Sequence, residues 1–309
     1  MKFKPLKLTL LLLLHLTACF HGPLDYHDQF HWPDICPFGT HQSPINLPLP
    51  DECTKSLTYF SIKQVKYTPL NNKHLEYANE YTFKLDTSTN GFIKVVINNK
   101  TYKYNLNNIH FHLNSEHTIN GKLYSSEMHL VHTLDPSEKD NLTEDEFEYN
   151  KYLVVGAIFE PIEDVQDNSF FNKLNFNSRS DVSNLNWNSF LTDDNDIYYY
   201  HGSLTTPGCD EKVNWVIINR IYPISQKQFE EFKNYIGSVY PDGNNRKIQR
   251  LNERIVYYIM RENEGGSSFI GVFLGAVIIA GLFYAAYWYY RKYKLENAAP
   301  ITGVYNLKI

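Results

Sequence analysis

Twenty-two consecutive residues, Phe269 to Tyr290, carry no charged side chain. A run of that length spans a hydrocarbon core as a helix, which satisfies its own backbone hydrogen bonds in lipid. Arg291, Lys292 and Lys294 follow at once, while Glu262 and Glu264 lie just before. The basic side stays in the cytoplasm. The span at 269–290 therefore makes a single-pass membrane anchor, with residues up to 268 outside and 291–309 as a cytoplasmic tail. Tyr287, Trp288, Tyr289 and Tyr290 fall at the inner interface as an aromatic belt. Gly271 and Gly275 form a G-x-x-x-G pair. It reads either as a face for helix dimerisation or as glycines tolerated in a lone helix.

A second apolar segment opens the chain. Lys2, Lys4 and Lys7 precede a leucine run from Leu10 to Leu14, and small residues stand around Ala18. That order describes a secretory signal peptide over residues 1–22. Leu16-Thr17-Ala18-Cys19 also matches a bacterial lipoprotein box, a four-residue pattern that the C-terminal anchor makes redundant. The outer part holds 22 basic and 33 acidic residues, a net charge of −11. No nucleic-acid partner is expected of such a surface. With 15% aromatic residues the chain is not disordered. A mean hydropathy of −0.41 excludes a polytopic membrane protein.

Residues 23–261 read as one extracellular domain, and 262–268 as a short stalk containing Gly265-Gly266-Ser267-Ser268. Strand-like runs recur at Tyr59–Val65, Glu80–Leu85, Phe92–Asn98, Thr101–Tyr104, Ile109–Leu113, Glu127–Thr133, Tyr152–Phe159 and Val213–Ile218. Turn residues such as Asn90-Gly91 and Asn120-Gly121 separate them. Helical spacing is clearest over Gln226–Val239. The expected fold is mainly β: a single large sheet with short peripheral helices. Of the four cysteines, Cys19 falls at the cleavage zone, which leaves Cys36, Cys53 and Cys209. Outside the cell two of these can pair and one is left over. Asn99-Lys100-Thr101 and Asn141-Leu142-Thr143 are N-glycosylation acceptors in a eukaryotic secretory route.

Five of the twelve histidines fall between 110 and 132. In His110-Phe111-His112, strand alternation puts both imidazoles on one face. In Glu127-Met128-His129-Leu130-Val131-His132, the residues Glu127, His129 and Val131 share a face. A hairpin through Asn120-Gly121 brings the two strands together, and three imidazoles converge. Three histidines with an open fourth position form the pattern of a catalytic zinc site. Glu127 is placed to hold His129 from behind. His117 and His132 point elsewhere and read as structural. Farther on, Tyr200–Cys209 reads as a turn-rich loop followed by a strand; alone it defines no activity.

Taken together, these segments resemble the α-class carbonic anhydrase family. Gln42-Ser43-Pro44-Ile45-Asn46 is similar to its N-terminal signature. His110-Phe111-His112, Ser115-Glu116-His117-Thr118 and Glu127 to His132 are similar to its metal-binding core. Gly202-Ser203-Leu204-Thr205-Thr206-Pro207 is similar to its active-site loop, and Asn244, Arg246, Gln249, Leu251 and Arg254 to its C-terminal pattern. The resemblance runs from about Trp32 to Arg254. It implies a mostly antiparallel, twisted sheet and a zinc ion on His110, His112 and His129. It also implies reversible hydration of CO₂ to bicarbonate and a proton by a zinc-bound hydroxide; the two apolar segments put that reaction at the cell surface or in a secretory-pathway membrane. Thr205 would orient that hydroxide and donate its own proton to Glu116. Val131, Val155, Leu204, Val213 and Trp215 would line the CO₂ pocket, with Thr206 near bicarbonate. The resemblance pairs Cys36 with Cys209.

Three departures matter. The usual glutamine beside the first ligand is Asn108, one methylene shorter, which puts its hydrogen bond to His110 in question. The second proline of the loop is Gly208. The usual proton-shuttling histidine falls on Tyr81. The competing function is a catalytically silent ectodomain of the same fold, used in binding or adhesion. Such a domain is expected to have lost a ligand, and this chain keeps all three.

Overall fold

The computed structural model describes residues 24–260 and 266–296, apart from 57, 74–75, 79–81, 88–90, 178–179 and 192–194. The expected signal peptide at 1–22, Tyr81 and most of the expected stalk lie outside the described residues. The chain divides into two units, Met1–Met260 and Arg261–Ile309.

Within the first unit the chain forms β1 (Asn46–Leu47), β2 (Thr54–Lys55), β3 (Phe60–Tyr67), β4 (Glu76–Ala78), β5 (Thr82–Asp86), β6 (Gly91–Ile97) and β7 (Lys100–Leu113). There follow β8 (Thr118–Ile119), β9 (Ser126–Leu134), α1 (Glu144–Tyr149), β10 (Tyr152–Pro161), α2 (Ser169–Lys173), β11 (Ile197–Gly202), β12 (Val213–Ile224), α3 (Gln226–Gly237) and β13 (Tyr257–Ile259). Eleven strands make one mixed sheet in the order β2-β13-β11-β12-β10-β9-β7-β5-β4, with β6 on the other half of β7 and β3 on β6. Most pairs are antiparallel; β10–β12 and β13–β2 are parallel.

Two departures from the sequence reading have a physical cause. Thr101–Tyr104 and Ile109–Leu113 are one strand, not two. The asparagine-rich stretch between them sits in β7, which pairs with β6 over its first half and β5 over its second. A register shift between Leu106 and Asn108 absorbs the irregular residue. Tyr200 to Gly202 end a strand, β11, rather than opening a loop.

The sheet carries apolar residues on both faces. Phe111, Leu113, Met128, Leu130 and Val155 join the larger core, under Phe232 and Ile236 of α3. Val131, Val154, Tyr200, Val213 and Trp215 join a smaller cluster on the opposite face. The alternation of β7 and β9 is thus used twice: once to bury a core and once to raise a polar site.

His132 points into the larger core, as its alternation with His129 requires. Its Nδ1 donates to Leu153 O at 3.1 Å, and the Tyr67 hydroxyl donates to its Nε2 at 2.7 Å. Burial pushes its pKa down to about 4. The unfolded chain takes up this proton first, near pH 6.5, so stability is full above that pH and declines as pH falls toward 4. His132 alone accounts for about 3 kcal/mol over that window. Urea unfolding at pH 7 and pH 4.5 should show the loss; equal stabilities would contradict it.

Cys36 and Cys209 form a disulfide across 173 residues of sequence. Among the described residues Cys53 is the free thiol. Burial pushes its pKa up to about 11, which leaves it unreactive at neutral pH.

In the second unit, one helix, α4, runs from Gly266 to Glu296 over the expected span. Its side chains are described from 279 to 294. Among the described residues no helix is long and apolar enough to cross a membrane. The anchor, and helix pairing through Gly271 and Gly275, remain expectations from the sequence.

Candidate active site

The antiparallel register of β7 and β9 sets His110 directly opposite His129. His112 stands two residues along β7, on the same face. The three imidazole centroids lie 4.7–5.1 Å apart. One nitrogen from each lies within 4.8 Å of the others, so the three could hold a metal ion.

Each ring is held from behind by an acceptor, and this decides which nitrogen faces inward. His110 Nδ1 donates to Asn108 Oδ1 at 3.0 Å. The shorter side chain therefore keeps the hydrogen bond that the substitution put in question. His112 Nδ1 donates to the Asn244 carbonyl at 2.8 Å. His129 Nε2 donates to Glu127 Oε1 at 2.9 Å. The lone pairs left over are Nε2 of His110, Nε2 of His112 and Nδ1 of His129.

Those lone pairs lack protein partners that suit them. His112 Nε2 is buried without a hydrogen bond. His129 Nδ1 and His110 Nε2 face each other at 3.2 Å, which two lone pairs tolerate only with a cation or a proton between them. Burial, and the neighbouring imidazoles, push His110 well below the ordinary histidine pKa; burial also lowers that of His112. Neutral imidazoles on a dry floor are what a divalent metal of zinc's type needs. The residues fit the group.

Glu127 organises the layer beneath. Its Oε1 accepts from His129 and from His117 Nδ1 at 2.8 Å, and its Oε2 accepts from the backbone N–H groups of Glu116 and His117. Burial alone would raise this carboxyl, but the His117 and His129 imidazoles hold it well below the usual carboxylate range. His117 continues the chain to the Tyr200 hydroxyl at 2.7 Å, and Tyr200 donates to Ser43 Oγ at 2.9 Å. Gly156, paired with His129 on β10, leaves room for this carboxylate. A Cβ there would meet Glu127 Oε1 at 2.8 Å and Ile217 Cδ1 at 2.6 Å.

Glu116 Oε1 accepts from the Arg246 backbone N–H at 2.9 Å, while its Oε2 is buried without a hydrogen bond. That oxygen lies 3.6 Å from His112 Nε2 and 3.9 Å from His129 Nδ1. The expected bond from Thr205 to Glu116 is therefore not formed in this structure. Arg246 also donates through its guanidinium to Gln42 Oε1, Ser43 O and Cys36 O, tying the N-terminal signature beneath the site.

A cavity of about 390 Å³ opens over His110 and His129. Val131, Leu204, Thr205, Thr206 and Trp215 line it, as the sequence suggested. Trp215 is fixed by donating from Nε1 to Ser203 O at 3.0 Å. Val155 is a correction. It pairs with Leu130 and Val216 and is buried in the larger core, on the far face. Val154, which pairs with Val131 and Trp215, is the valine that lines the cavity. Val213 packs in the cluster behind this wall and is not among the lining residues. Sequence reading also missed Lys84, Asn107, Thr133 and Tyr152 in the lining. Lys84 pairs with His110 across β5 and β7, so counting alternation back from the ligand could have found it. Asn244 was noted only as part of a pattern; its carbonyl is what holds His112.

A family model described as eukaryotic-type carbonic anhydrase matches residues 27–260. The chain is 29% identical over 232 residues to a carbonic anhydrase of Nostoc, covering 73% of this chain and 81% of that one. It is 30% identical over 257 residues to alpha carbonic anhydrase 3 of Arabidopsis thaliana, covering 78% and 84%. Among solved structures, an alpha-carbonic anhydrase from Thermovibrio ammonificans aligns with a TM-score of 0.54 and 27% identity, over 72% of this chain and 89% of that one. With the fold, the histidine triad and the matched residues in agreement, the chain belongs to the eukaryotic-type carbonic anhydrase family.

Proposed function

We propose that this chain catalyses the reversible hydration of CO₂ to bicarbonate and a proton, using a zinc ion on His110, His112 and His129, on the outer face of a membrane. One observation carries the reading: three imidazoles, each anchored through one nitrogen, turn the other toward one point under a cavity. Zinc bound there supplies a water acidic enough to be a nucleophile near neutral pH.

The chain's own residues do the rest. Val131, Val154, Leu204 and Trp215 offer an apolar wall. CO₂ has no charge to grip, so a shaped apolar surface beside the metal is what binds it. The Thr205 hydroxyl, on the rim of the same cavity, would accept one hydrogen bond and donate its own to Glu116, a positioning effect. The unpartnered Glu116 Oε2 is the acceptor reserved for that bond. Among the described residues Lys84 is the one lining side chain with a fixed charge, and its ammonium favours the anionic product over the neutral substrate. Tyr81, at the usual shuttle position, is a poor proton acceptor at neutral pH, so proton export relies on buffer. The disulfide fits an oxidising compartment, and the charge-free run at 269–290 supplies the anchor.

His129→Ala tests the ligand assignment. Metal analysis of the purified wild type should give one zinc per chain, and the variant should hold none and hydrate CO₂ no faster than buffer. Full activity in the variant would overturn the assignment.

A further inference from the structure

On β11 and β12 the alternation that aims Trp215 at the site aims Asn214 and His201 the other way. They line a second cavity, of about 260 Å³, on the far face of these strands. Tyr59, Tyr149, Tyr199 and Tyr257 also line it. Two ring pairs are stacked there: Tyr59 on Tyr257 at 4.3 Å, and Tyr149 on His201 at 3.8 Å.

One buried acceptor of this cavity asks for a donor. His201 Nε2 lies 3.0 Å from the Tyr149 carbonyl, which can only accept. Nε2 therefore carries the hydrogen, and Nδ1 is a buried acceptor with no partner. Arg254 spends its guanidinium on the carbonyls of Gln42, His201, Arg250 and Leu251. Glu253 makes no ion pair among the described residues. The two lining charges, one of each sign, cancel. A neutral ring rich in hydroxyl donors, with a C–H face to lay on tyrosines, meets these conditions. That is a sugar.

A sugar has an attachment point at the rim. Ile97 lines the cavity, and the turn that follows it is Asn98-Asn99. Asn98 N–H donates to Tyr59 O at 2.7 Å, which ties this turn to the tyrosine cluster. Asn99 is exposed and opens the acceptor triplet Asn99-Lys100-Thr101. Lys100 Nζ pairs with Glu146 Oε1 at 2.5 Å, in the α1 helix that ends at the cavity residue Tyr149. The second triplet, Asn141-Leu142-Thr143, precedes α1 and sits at the end of the helix away from Tyr149.

We propose that Asn99 carries an N-linked glycan whose first sugars seat in this tyrosine-lined cavity. In the linking step, Asn99 Nδ2 bonds to C1 of the donor sugar and loses one proton. The C1–O bond to the donor's lipid diphosphate breaks, and the diphosphate leaves with the electron pair. The cavity then works as a built-in carbohydrate site that stiffens the far face of β11 and β12, independent of the CO₂ chemistry.

The test uses the full chain made in a eukaryotic secretory host. Peptide mass mapping should find the glycan on Asn99; an unmodified Asn99 overturns the proposal. Thr101→Ala, which removes the acceptor, should lower the melting temperature by about 3 °C, the shift one aromatic contact gives in a domain of this size. In a Tyr149→Ala background the same change should lower it by less than about 1 °C. Equal shifts in both backgrounds overturn the proposal. A measurement without variants stands beside it: endoglycosidase should release the Asn99 sugar slowly from native protein and quickly after denaturation. Equal rates overturn it. CO₂ hydration should stay unchanged throughout, so the failure of either reading is separable from the other.

Discussion

Replacing both Cys36 and Cys209 by Ser should lower the melting temperature by about 10 °C or more. The bond closes a sequence separation of 173 residues. In the chain-entropy account, a loop that long is worth about 4–5 kcal/mol. For a domain of this size, each kcal/mol corresponds to about 2–4 °C. The bond also anchors the loop of the site. Cys209 N–H donates to Thr206 O at 2.9 Å, Leu204 N–H donates to Asp210 O at 3.0 Å, and Gln42 Nε2 donates to Cys209 O at 3.0 Å. The variant should therefore lose hydration activity at temperatures where it is still folded, because Thr205 and Thr206 are no longer held. Scanning calorimetry of the two proteins decides the stability claim; an unchanged melting temperature would refute it.

Glu127→Gln should weaken metal binding by about 10- to 100-fold, the usual cost of removing an acceptor behind a ligand histidine. All four hydrogen bonds to Glu127 come from donors: two imidazoles and two backbone N–H groups. A carboxylate accepts them all. A carboxamide must turn its NH₂ toward one pair, which sets donor against donor in a fully buried place. His129 then loses the partner that fixes its tautomer, and Nδ1 is no longer reliably free for the metal. Competition with a chelator gives the dissociation constant. Equal affinity in both proteins would mean that Glu127 does not position His129.

The triad was legible in the sequence because strand alternation is a strict rule. Once His110 and His129 lie on paired strands, the facing residues follow, and so do Glu127 behind His129 and the burial of Phe111, Met128 and Leu130. Val155 came from the resemblance and not from alternation. The start of β10 at Tyr152 was legible, but which of its two faces meets the cavity was not, and the pairing of Val154 with Val131 and Trp215 settles it. Lys84 and Asn244 were harder, because they reach the site from elements distant in sequence. The Asn244 contribution comes through a backbone carbonyl, for which side-chain chemistry gives no signal. The length of β7 was hidden by its asparagines, which look like a turn until β5 and β6 are seen to share the strand. The second cavity was invisible to motif reading altogether. Its tyrosines come from four separate stretches of the chain and carry no spacing of their own.

The most direct test of the central claim is stopped-flow CO₂ hydration by the purified full chain, before and after metal removal. Catalysis should vanish on dialysis against a zinc chelator. It should return in proportion to added zinc, saturating at one ion per chain. Hydration that persists without metal, or a fully zinc-loaded protein that leaves the buffer rate unchanged, would contradict the assignment of these three histidines to CO₂ chemistry.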